Sequence, residues 1–139
     1  MLILPMITLM LLTGLVWFYM YFLRLKYILE HRIAYDKLET PEQASAHLPI
    51  ATNKPSNNLK NLFELPVLFY AICMMTLVLK LQDIGLMYLA WGFVIGRFLH
   101  SFFHCFTYSI LSRFYSYVFS SLLLWSMLIR LVYLYIDHL

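Results

Sequence analysis

The sequence has few charged residues, and its first 23 positions contain none. Only 12% of the 139 residues are Asp, Glu, Lys or Arg, whereas 63% are hydrophobic. A water-soluble domain of this size carries about twice that charged fraction. The composition therefore excludes a soluble globular domain and predicts an integral membrane protein.

Cysteine and clustered positive charge are also scarce. The two cysteines, Cys73 and Cys105, both lie in apolar segments, which favours packing roles over a disulfide. The net charge is only +3, and the basic residues do not cluster with aromatic residues, which argues against nucleic acid as a partner. No Gly/Ser-rich linker or internal repeat divides the chain, so we expect one membrane domain over residues 1–139.

Four long apolar runs are present, each long enough to cross a hydrocarbon core about 30 Å thick. Backbone polar groups in lipid need internal partners, and runs this uniformly apolar favour helices over barrel strands. We therefore expect an all-α integral membrane fold, a bundle of four transmembrane helices. The first run lacks the basic start and the cleavage site of a secretory signal, so we interpret it as a retained span. The predicted spans cover about residues 2–28, 56–80, 84–108 and 114–136.

A polar segment at about residues 32–57 joins the first two predicted spans. Its prolines and polar side chains are typical of a loop, and the stretch TPEQA favours a short helix within it. Pro55 is expected in the first turn of the second span. Basic residues concentrate on the side of this loop, so the positive-inside tendency predicts a cytoplasmic loop and both termini on the opposite side.

Two features predict how the spans pack. The sequence LQDIG after the second span predicts a tight turn, which would make the second and third spans an antiparallel hairpin. Gly92 and Gly96 in the third span are four residues apart, and this spacing allows another helix to approach closely.

Two polar stripes interrupt the apolar spans, because residues three, four or seven apart share one helix face. The stripe on the third span consists of Arg97, His100, His104 and Tyr108. The stripe on the second span consists of Asn57, Asn61 and Glu64.

Arg97 and Glu64 are the charged members of these stripes. An arginine near the centre of a span costs roughly 2.5–3.5 kcal/mol on insertion scales, so it is expected to face the bundle interior and to pair. Glu64 lies about as far before the LQDIG turn as Arg97 lies after it, so we predict an ion pair between them. Such a pair can be merely a packing device. The further polar residues on the same half of the spans favour a site for a polar, anionic ligand.

The run NNLKNLFELPVLF, followed in the third span by GRFLH, resembles the superfamily of membrane-associated proteins in eicosanoid and glutathione metabolism (MAPEG). This superfamily includes microsomal glutathione transferases and microsomal prostaglandin E synthase. The chain length, the four spans and the long first loop are also similar. The resemblance implies a homotrimer that binds glutathione between neighbouring subunits, surrounded by membrane lipids and acting on a lipophilic small-molecule substrate.

The resemblance also implies roles for individual residues. Arg113 falls where the family has the arginine that stabilises the glutathione thiolate, so it is the implied catalytic residue. A guanidinium beside a sulfur in a poorly hydrated site favours the reactive thiolate. The implied glutathione-binding residues are Arg32, Asn57, Asn61, Glu64, Arg97, His100, His104 and Tyr108.

Three positions depart from the family pattern. Asn57 stands where an arginine is usual, His104 where a tyrosine is usual, and Phe114 where some members have a hydroxyl. Two hypotheses therefore remain open, a glutathione-dependent transferase or peroxidase acting on lipophilic electrophiles, and a non-catalytic protein that binds a lipid or a partner. A metal site at His100 and His104 is disfavoured, because the spans offer few further ligands.

Overall fold

The structure is a computed structural model that describes residues 2–81 and 83–137, and these residues form six α-helices joined by short connections. A short 3-10 helix, Tyr35–Leu38, lies in the first connection. The α-helices are α1 Ile3–His31, α2 Pro41–His47, α3 Ile50–Leu62, α4 Leu65–Val78, α5 Ile84–Phe106 and α6 Ile110–Asp137.

The predicted all-α bundle with four membrane-spanning segments is confirmed. The four segments long and apolar enough to cross a membrane are α1, α3 together with α4, α5 and α6. Their bounds differ from the prediction at several ends. α1 continues to His31, α5 ends at Phe106, and α6 begins at Ile110, so the connection between the last two spans is shorter than expected.

The second span is broken in the middle, which the sequence analysis did not predict. α3 ends at Leu62 and α4 begins at Leu65, and Glu64 between them has a non-helical backbone with φ −93° and ψ −99°. Pro66 explains the break, because its ring would clash with the carbonyl of Leu62 in a continuous helix and its nitrogen carries no hydrogen to donate.

The start of the second span was also predicted wrongly. α3 begins at Ile50, six residues before the predicted start, and Pro49 is its N-cap residue with an extended backbone. Pro55 therefore lies inside α3 and not in its first turn, and its ring is buried against the rest of the bundle. The packing of the buried face of α3 against the bundle stabilises this helix, which Pro55 by itself would weaken.

The short helix predicted at TPEQA is confirmed as α2. Thr40 and Gln43 form a reciprocal capping box, in which the Gln43 backbone N–H donates to the Thr40 hydroxyl at 3.2 Å and the Thr40 N–H donates to the Gln43 side chain at 3.1 Å. Pro41 occupies the first helical position, where its missing N–H costs nothing.

Most of the buried side chains of the bundle are apolar, and the outer surface is apolar as well. In α1 the inward positions recur every three or four residues, as Met6, Leu9, Val16 and Met20 illustrate. Large side chains such as Phe18, which is 67% exposed, cover the outside. A surface of this kind is stable only in lipid, as expected for a multi-pass membrane protein.

The close helix approach predicted for Gly92 and Gly96 is confirmed, and the neighbour is α6. A Cβ added at Gly96 would lie 2.9 Å from the Cβ of Ser120 and 3.3 Å from its Cα. A Cβ added at Gly92 would lie 2.9 Å from one methyl carbon of Leu123. The two glycines thus set the separation of α5 and α6, the helices that contribute most of the buried polar side chains.

A short connection links α4 and α5, as LQDIG predicted, although Gln82 lies outside the described residues. Lys80 adopts a left-handed backbone with φ 55°. The Asp83 carboxylate caps α5 by accepting the backbone N–H of Leu86 at 2.7 Å, and it also forms a salt bridge with Arg130 near the end of α6. Asp83 therefore fixes the hairpin to the fourth span.

Candidate functional site

Polar side chains from three helices meet at one end of the bundle. They surround a cavity of about 230 Å³, here called the inner cavity. Asn61 comes from α3, whereas α5 and α6 contribute two residues each to its polar wall. The lining residues are Asn61, His100, His104, Ile110, Arg113, Phe114 and Tyr117.

His100 links the three helices by two hydrogen bonds. Its Nδ1 lies 3.0 Å from the carbonyl oxygen of Arg113, and its Nε2 lies 3.3 Å from the Asn61 amide nitrogen. A carbonyl can only accept, so Nδ1 carries the hydrogen, and Nε2 of the neutral ring accepts from Asn61. The geometry thus assigns one tautomer to His100 and places its ring as a connection between α3 and α6.

His104 lies one turn further along α5 and lines the same cavity. Its ring centroid is 5.6 Å from that of His100, and only 9% of the residue is exposed. Its Nδ1 has no hydrogen-bond partner among the described residues. This nitrogen is therefore a buried polar group without a partner beside the cavity, which is uncommon in folded proteins.

Arg113 belongs to the inner cavity and to a second, larger one. The outer cavity has a volume of about 450 Å³, and Arg113, His104 and Ile110 line both. The outer cavity is lined by Ile50, Asn53, Lys54, Asn57, His104, Thr107, Tyr108, Ile110 and Arg113. Arg113 therefore lies where the two cavities meet, and its Nε has no hydrogen-bond partner within the described part of the chain.

Lys54 is the second cation of the outer cavity. Its Nζ donates to the carbonyl oxygen of Thr107 at 3.0 Å and lies 3.3 Å from the centre of the Tyr108 ring. These contacts hold the connection between α5 and α6 against α3. Tyr108 was predicted at the end of the third-span stripe, but it lies beyond the last residue of α5 and is 81% exposed, so it reaches the site from a connection and not from a helix face.

The charge of the two cavities has one sign. Arg113 and Lys54 line them, together with hydrogen-bonding groups such as Asn57 and Asn61, whereas no acidic side chain is among the lining residues that the structure describes. An arginine fork and a lysine ammonium in a partly buried site favour carboxylate or phosphate groups. The site is thus chemically suited to an anionic ligand with several hydrogen-bonding groups.

A buried asparagine supports the site from behind. Asn58 is fully buried, donates from its amide nitrogen to Cys105 Sγ at 3.6 Å, and accepts from the Ser101 hydroxyl at 3.4 Å. These contacts tie α3 to α5 next to Asn61 and His100. Sequence analysis did not single out Asn58, because one asparagine among several in a polar run gives no sign of its orientation.

The predicted ion pair between Glu64 and Arg97 is wrong. Over the described ranges 2–81 and 83–137, the salt bridges are Lys26 with Glu30 and Arg130 with Asp83. Glu64 lies in the break between α3 and α4 with an exposed side chain. The prediction assumed one continuous helix from Asn57 to Glu64, whereas α3 ends at Leu62 and Glu64 lies in the break, where it attracts Arg97 only over a distance longer than a salt bridge.

Arg97 is nevertheless buried, as an intramembrane arginine was expected to be. It has no exposed surface, and none of its three guanidinium nitrogens has a hydrogen-bond partner among the described residues. Its guanidinium carbon lies 4.9 Å from the Tyr117 ring centre and 5.3 Å from that of Phe93. Cation–π contacts with two rings offset part of the cost of burial.

The nine predicted site residues thus fall into three groups. Asn57, Asn61, His100, His104, Tyr108 and Arg113 line the two cavities. Arg97 shares the buried face of α5 with the two histidines but lines neither cavity. Glu64 and Arg32 are exposed and line neither cavity, and Arg32 ends α1 with a left-handed backbone of φ 47°.

Tyr117 is a lining residue that the sequence analysis missed. It faces the inner cavity, and its ring centroid is 5.6 Å from that of His100. Its spacing four residues after Arg113 on the same helix places both side chains on one face. The spacing is present in the sequence, but it did not indicate a shared helix face because Arg113 was assigned to a loop.

The described residues contain no group of three or more His, Cys, Asp or Glu side chains that could hold a metal ion. Cys73 is buried and Cys105 is half-buried, and both are free thiols.

The fold and the site define a class of protein, a multi-pass helical membrane protein with a cationic cavity at one end of its bundle. A family model described as the MAPEG family matches residues 2–133, and the chain belongs to this family. The resemblance identified from the motifs of the second and third spans is therefore confirmed. No curated protein and no solved structure shows significant similarity to the chain.

Proposed function

We propose that the protein is a glutathione-dependent transferase or peroxidase that acts on lipophilic electrophiles. The observation that carries this proposal is the position of Arg113, which lies between two adjoining cavities free of acidic lining residues and has an unpartnered Nε among the described residues. Family membership supports the same function, because the family resemblance implies glutathione as the co-substrate.

The chemistry of glutathione matches the lining of these cavities. The tripeptide carries two carboxylates, an ammonium and a thiol, and its peptide groups donate and accept hydrogen bonds. Lys54 is suited to a carboxylate, whereas the amides of Asn57 and Asn61 are suited to its peptide groups. The outer cavity would hold the charged backbone and the inner cavity the thiol.

Arg113 would then act on the sulfur. A guanidinium beside the thiol stabilises the thiolate, which is the nucleophilic form. In a transfer reaction the thiolate attacks an electrophilic carbon, a C–S bond forms, and the leaving group departs with the electron pair of the bond that breaks. His100 would hold the Arg113 backbone through the 3.0 Å bond to its carbonyl oxygen, so it is a positioning residue.

The electrophile would enter from the lipid. Ile110 and Phe114 line the inner cavity and are 71% and 59% exposed, so the cavity has an apolar edge on the outer surface of the bundle. An apolar substrate dissolved in the membrane could reach the thiolate there without crossing water.

Thiolate formation is the direct test of this function. Ultraviolet absorbance of the thiolate is measured as glutathione is added to the purified protein and to two variants, Arg113→Ala and Lys26→Ala. Lys26 serves as a matched control, because it is an exposed cation on α1 that pairs with Glu30 at 3.9 Å. The proposal predicts a thiolate signal that Arg113→Ala abolishes and Lys26→Ala preserves. Equal signals in both variants, or none in the wild type, would contradict it.

The family resemblance also implies a homotrimer, which we include in the proposal. The exposed positions of Arg32 and Glu64, away from the cavities of their own chain, are compatible with contacts to a neighbouring copy. The same proposal has the loop between α1 and α3 facing the cytoplasm and both termini facing the opposite side. Sedimentation of the detergent-solubilised protein tests the trimer, and cysteine labelling of loop positions in intact membranes tests the sidedness.

A second candidate function is non-catalytic binding of a lipid or a partner. Two observations favour it, the Asn57 amide where the family usually has an arginine, and an apolar groove of about 350 Å³ between α1 and α5. Leu12, Tyr19, Phe98 and Phe102 are among the residues that line the groove. Lipid that remains bound through purification, together with no response to glutathione, would favour this function over the first.

A further inference from the structure

A separate crevice lies between α1, α2 and α3. Few of its lining residues belong to the proposed glutathione site. It consists of two adjoining cavities of about 520 and 360 Å³, which share Arg24, Pro41, Ser56 and Lys60 as lining residues. Two residues of the smaller cavity, Asn53 and Asn57, also line the outer cavity of the proposed glutathione site.

The position of Arg24 places this crevice at the boundary between lipid and water. The charge-free part of α1 runs from Ile3 to Leu23, and at 1.5 Å per residue it spans about 31 Å, close to the thickness of a hydrocarbon core. Arg24 is the first charged residue after that run. Its side chain thus lies at the depth of the lipid headgroups.

The crevice has a cationic side. Arg24 donates from Nη2 to the Ser56 hydroxyl at 3.0 Å, and this bond holds the guanidinium against α3. Its Nε is buried and has no hydrogen-bond partner among the described residues. Lys60 lines both cavities with Arg24, so two cations face the same space. Together they are suited to a phosphate group.

The crevice also has an acidic side and an apolar wall. Glu39 lines the larger cavity and Glu42 the smaller one, so the charges of the crevice are balanced, unlike those of the proposed glutathione site. The apolar wall of the larger cavity includes Met20, Leu59 and Phe63. A ligand that fits this lining carries a negative group, a positive group and an apolar chain.

We propose that this crevice binds a zwitterionic phospholipid whose headgroup ends in a primary ammonium. The phosphate contacts Arg24 and Lys60, the ammonium contacts the carboxylate of Glu39, and one acyl chain lies along the apolar wall. A primary ammonium has N–H groups that can donate to a carboxylate, whereas a quaternary ammonium has none. The site therefore discriminates phosphatidylethanolamine from phosphatidylcholine, and its acidic side disfavours a purely anionic lipid.

Native mass spectrometry of the full-length protein in detergent tests the proposal. Dioleoyl phosphatidylethanolamine, phosphatidylcholine and phosphatidylglycerol are added separately as probes. The wild type should retain phosphatidylethanolamine most strongly. Arg24→Ala should weaken its binding by about tenfold, as expected for the loss of one charge-assisted contact, and Glu39→Gln should make phosphatidylethanolamine and phosphatidylcholine equivalent. Lys26→Ala, a neighbouring exposed cation outside the crevice, should change nothing.

Several outcomes would overturn the proposal. Equal retention of phosphatidylethanolamine and phosphatidylcholine by the wild type, or stronger retention of phosphatidylglycerol, would contradict the zwitterionic site. Displacement of the lipid by free phosphoethanolamine at equal concentration would show that the headgroup alone is bound and would contradict a lipid occupant. If Arg24→Ala does not remain monodisperse, Lys60→Gln is tested in its place. An unchanged affinity of either folded variant for phosphatidylethanolamine would contradict the proposal.

The inference does not depend on the proposed glutathione chemistry. Arg113→Ala should abolish the thiolate signal and leave phosphatidylethanolamine binding unchanged. Arg24→Ala should weaken phosphatidylethanolamine binding and leave the thiolate signal unchanged. Failure of one site is therefore distinguishable from failure of the other.

Discussion

Replacing Gly96 by alanine should separate α5 from α6, the two helices that contribute most of the polar lining of the inner cavity. The added Cβ would lie 2.9 Å from Ser120 Cβ and 3.3 Å from both Ser120 Cα and Phe119 Cδ1. The Cα of Ser120 belongs to the backbone of α6, so no rotation of a side chain relieves this contact. The two helices must move apart by a few tenths of an ångström.

The expected cost is that of an overpacked interior, about 1–3 kcal/mol. Alanine also raises helix propensity by up to about 1 kcal/mol, which would hide part of that cost. Gly14→Ala in α1 provides the matched control, because its added Cβ would meet nothing within 4 Å and it gains the same propensity. The difference between the two variants isolates the overpacking.

The free energy of unfolding is measured by tryptophan fluorescence as a denaturing detergent is added to the protein in micelles. Gly96→Ala should be about 1–3 kcal/mol less stable than Gly14→Ala. Gly92→Ala should fall between them, because its added Cβ meets only a methyl carbon of Leu123 at the end of a flexible side chain. If Gly96→Ala and Gly14→Ala were equally stable, the close contact between α5 and α6 would be refuted.

Three further substitutions test the contacts that hold the spans together, by the same unfolding measurement. His100→Phe should cost about 1–3 kcal/mol because it leaves the Asn61 amide nitrogen without its partner and removes one hydrogen bond from the Arg113 carbonyl, which still accepts from the Ser116 hydroxyl. His100→Asn keeps a donor for that carbonyl and should cost less. Asp83→Ala should cost about 1–2 kcal/mol more than Arg130→Gln, because only the former also removes the cap of α5. Asn58→Leu should cost about 1–3 kcal/mol by leaving the buried Ser101 hydroxyl and the half-buried Cys105 thiol without this partner, and no loss would contradict the observed contacts.

Much of the fold could be predicted from the sequence, because a helix that crosses lipid must be apolar along most of its length. The four spans follow from long apolar runs, and the close approach of α5 to another helix follows from Gly92 and Gly96. The capping residues of α2 were also readable in TPEQA. Which helix packs against the glycines was not predictable, since a small-residue pair carries no information about its partner.

The site was predicted only in part, and a proline explains the main error. The motif NLFELPVLF contains Pro66, whose effect on the preceding turn would have separated Glu64 from the Asn57 and Asn61 face. Tyr108 was misplaced because the end of α5 was set two residues too late. His100 and His104 were placed correctly on one face of α5, because the helical period determines which residues share a face, and this does not require knowing the neighbouring helices.

Among the described residues Arg97 forms no salt bridge, and Glu64, which lies in the same break, attracts it only over a longer distance. A buried guanidinium flanked by Phe93 and Tyr117 is held by ring faces and not by a carboxylate. The cationic cavities are therefore lined by Arg113 and five other predicted residues, but not by the predicted pair of Glu64 and Arg97. Arg113 and Lys54 provide their positive charge.

Calorimetric titration of the purified protein with glutathione tests the central claim most directly. We predict saturable binding that Arg113→Ala weakens by at least about tenfold, since a hydrogen bond to a charged group is worth about 1.5–3 kcal/mol. Lys26→Ala should bind as the wild type does. At about 1 mM glutathione, a binding free energy of roughly 4 kcal/mol would already be detected. If no heat of binding is measured up to that concentration, the account is contradicted.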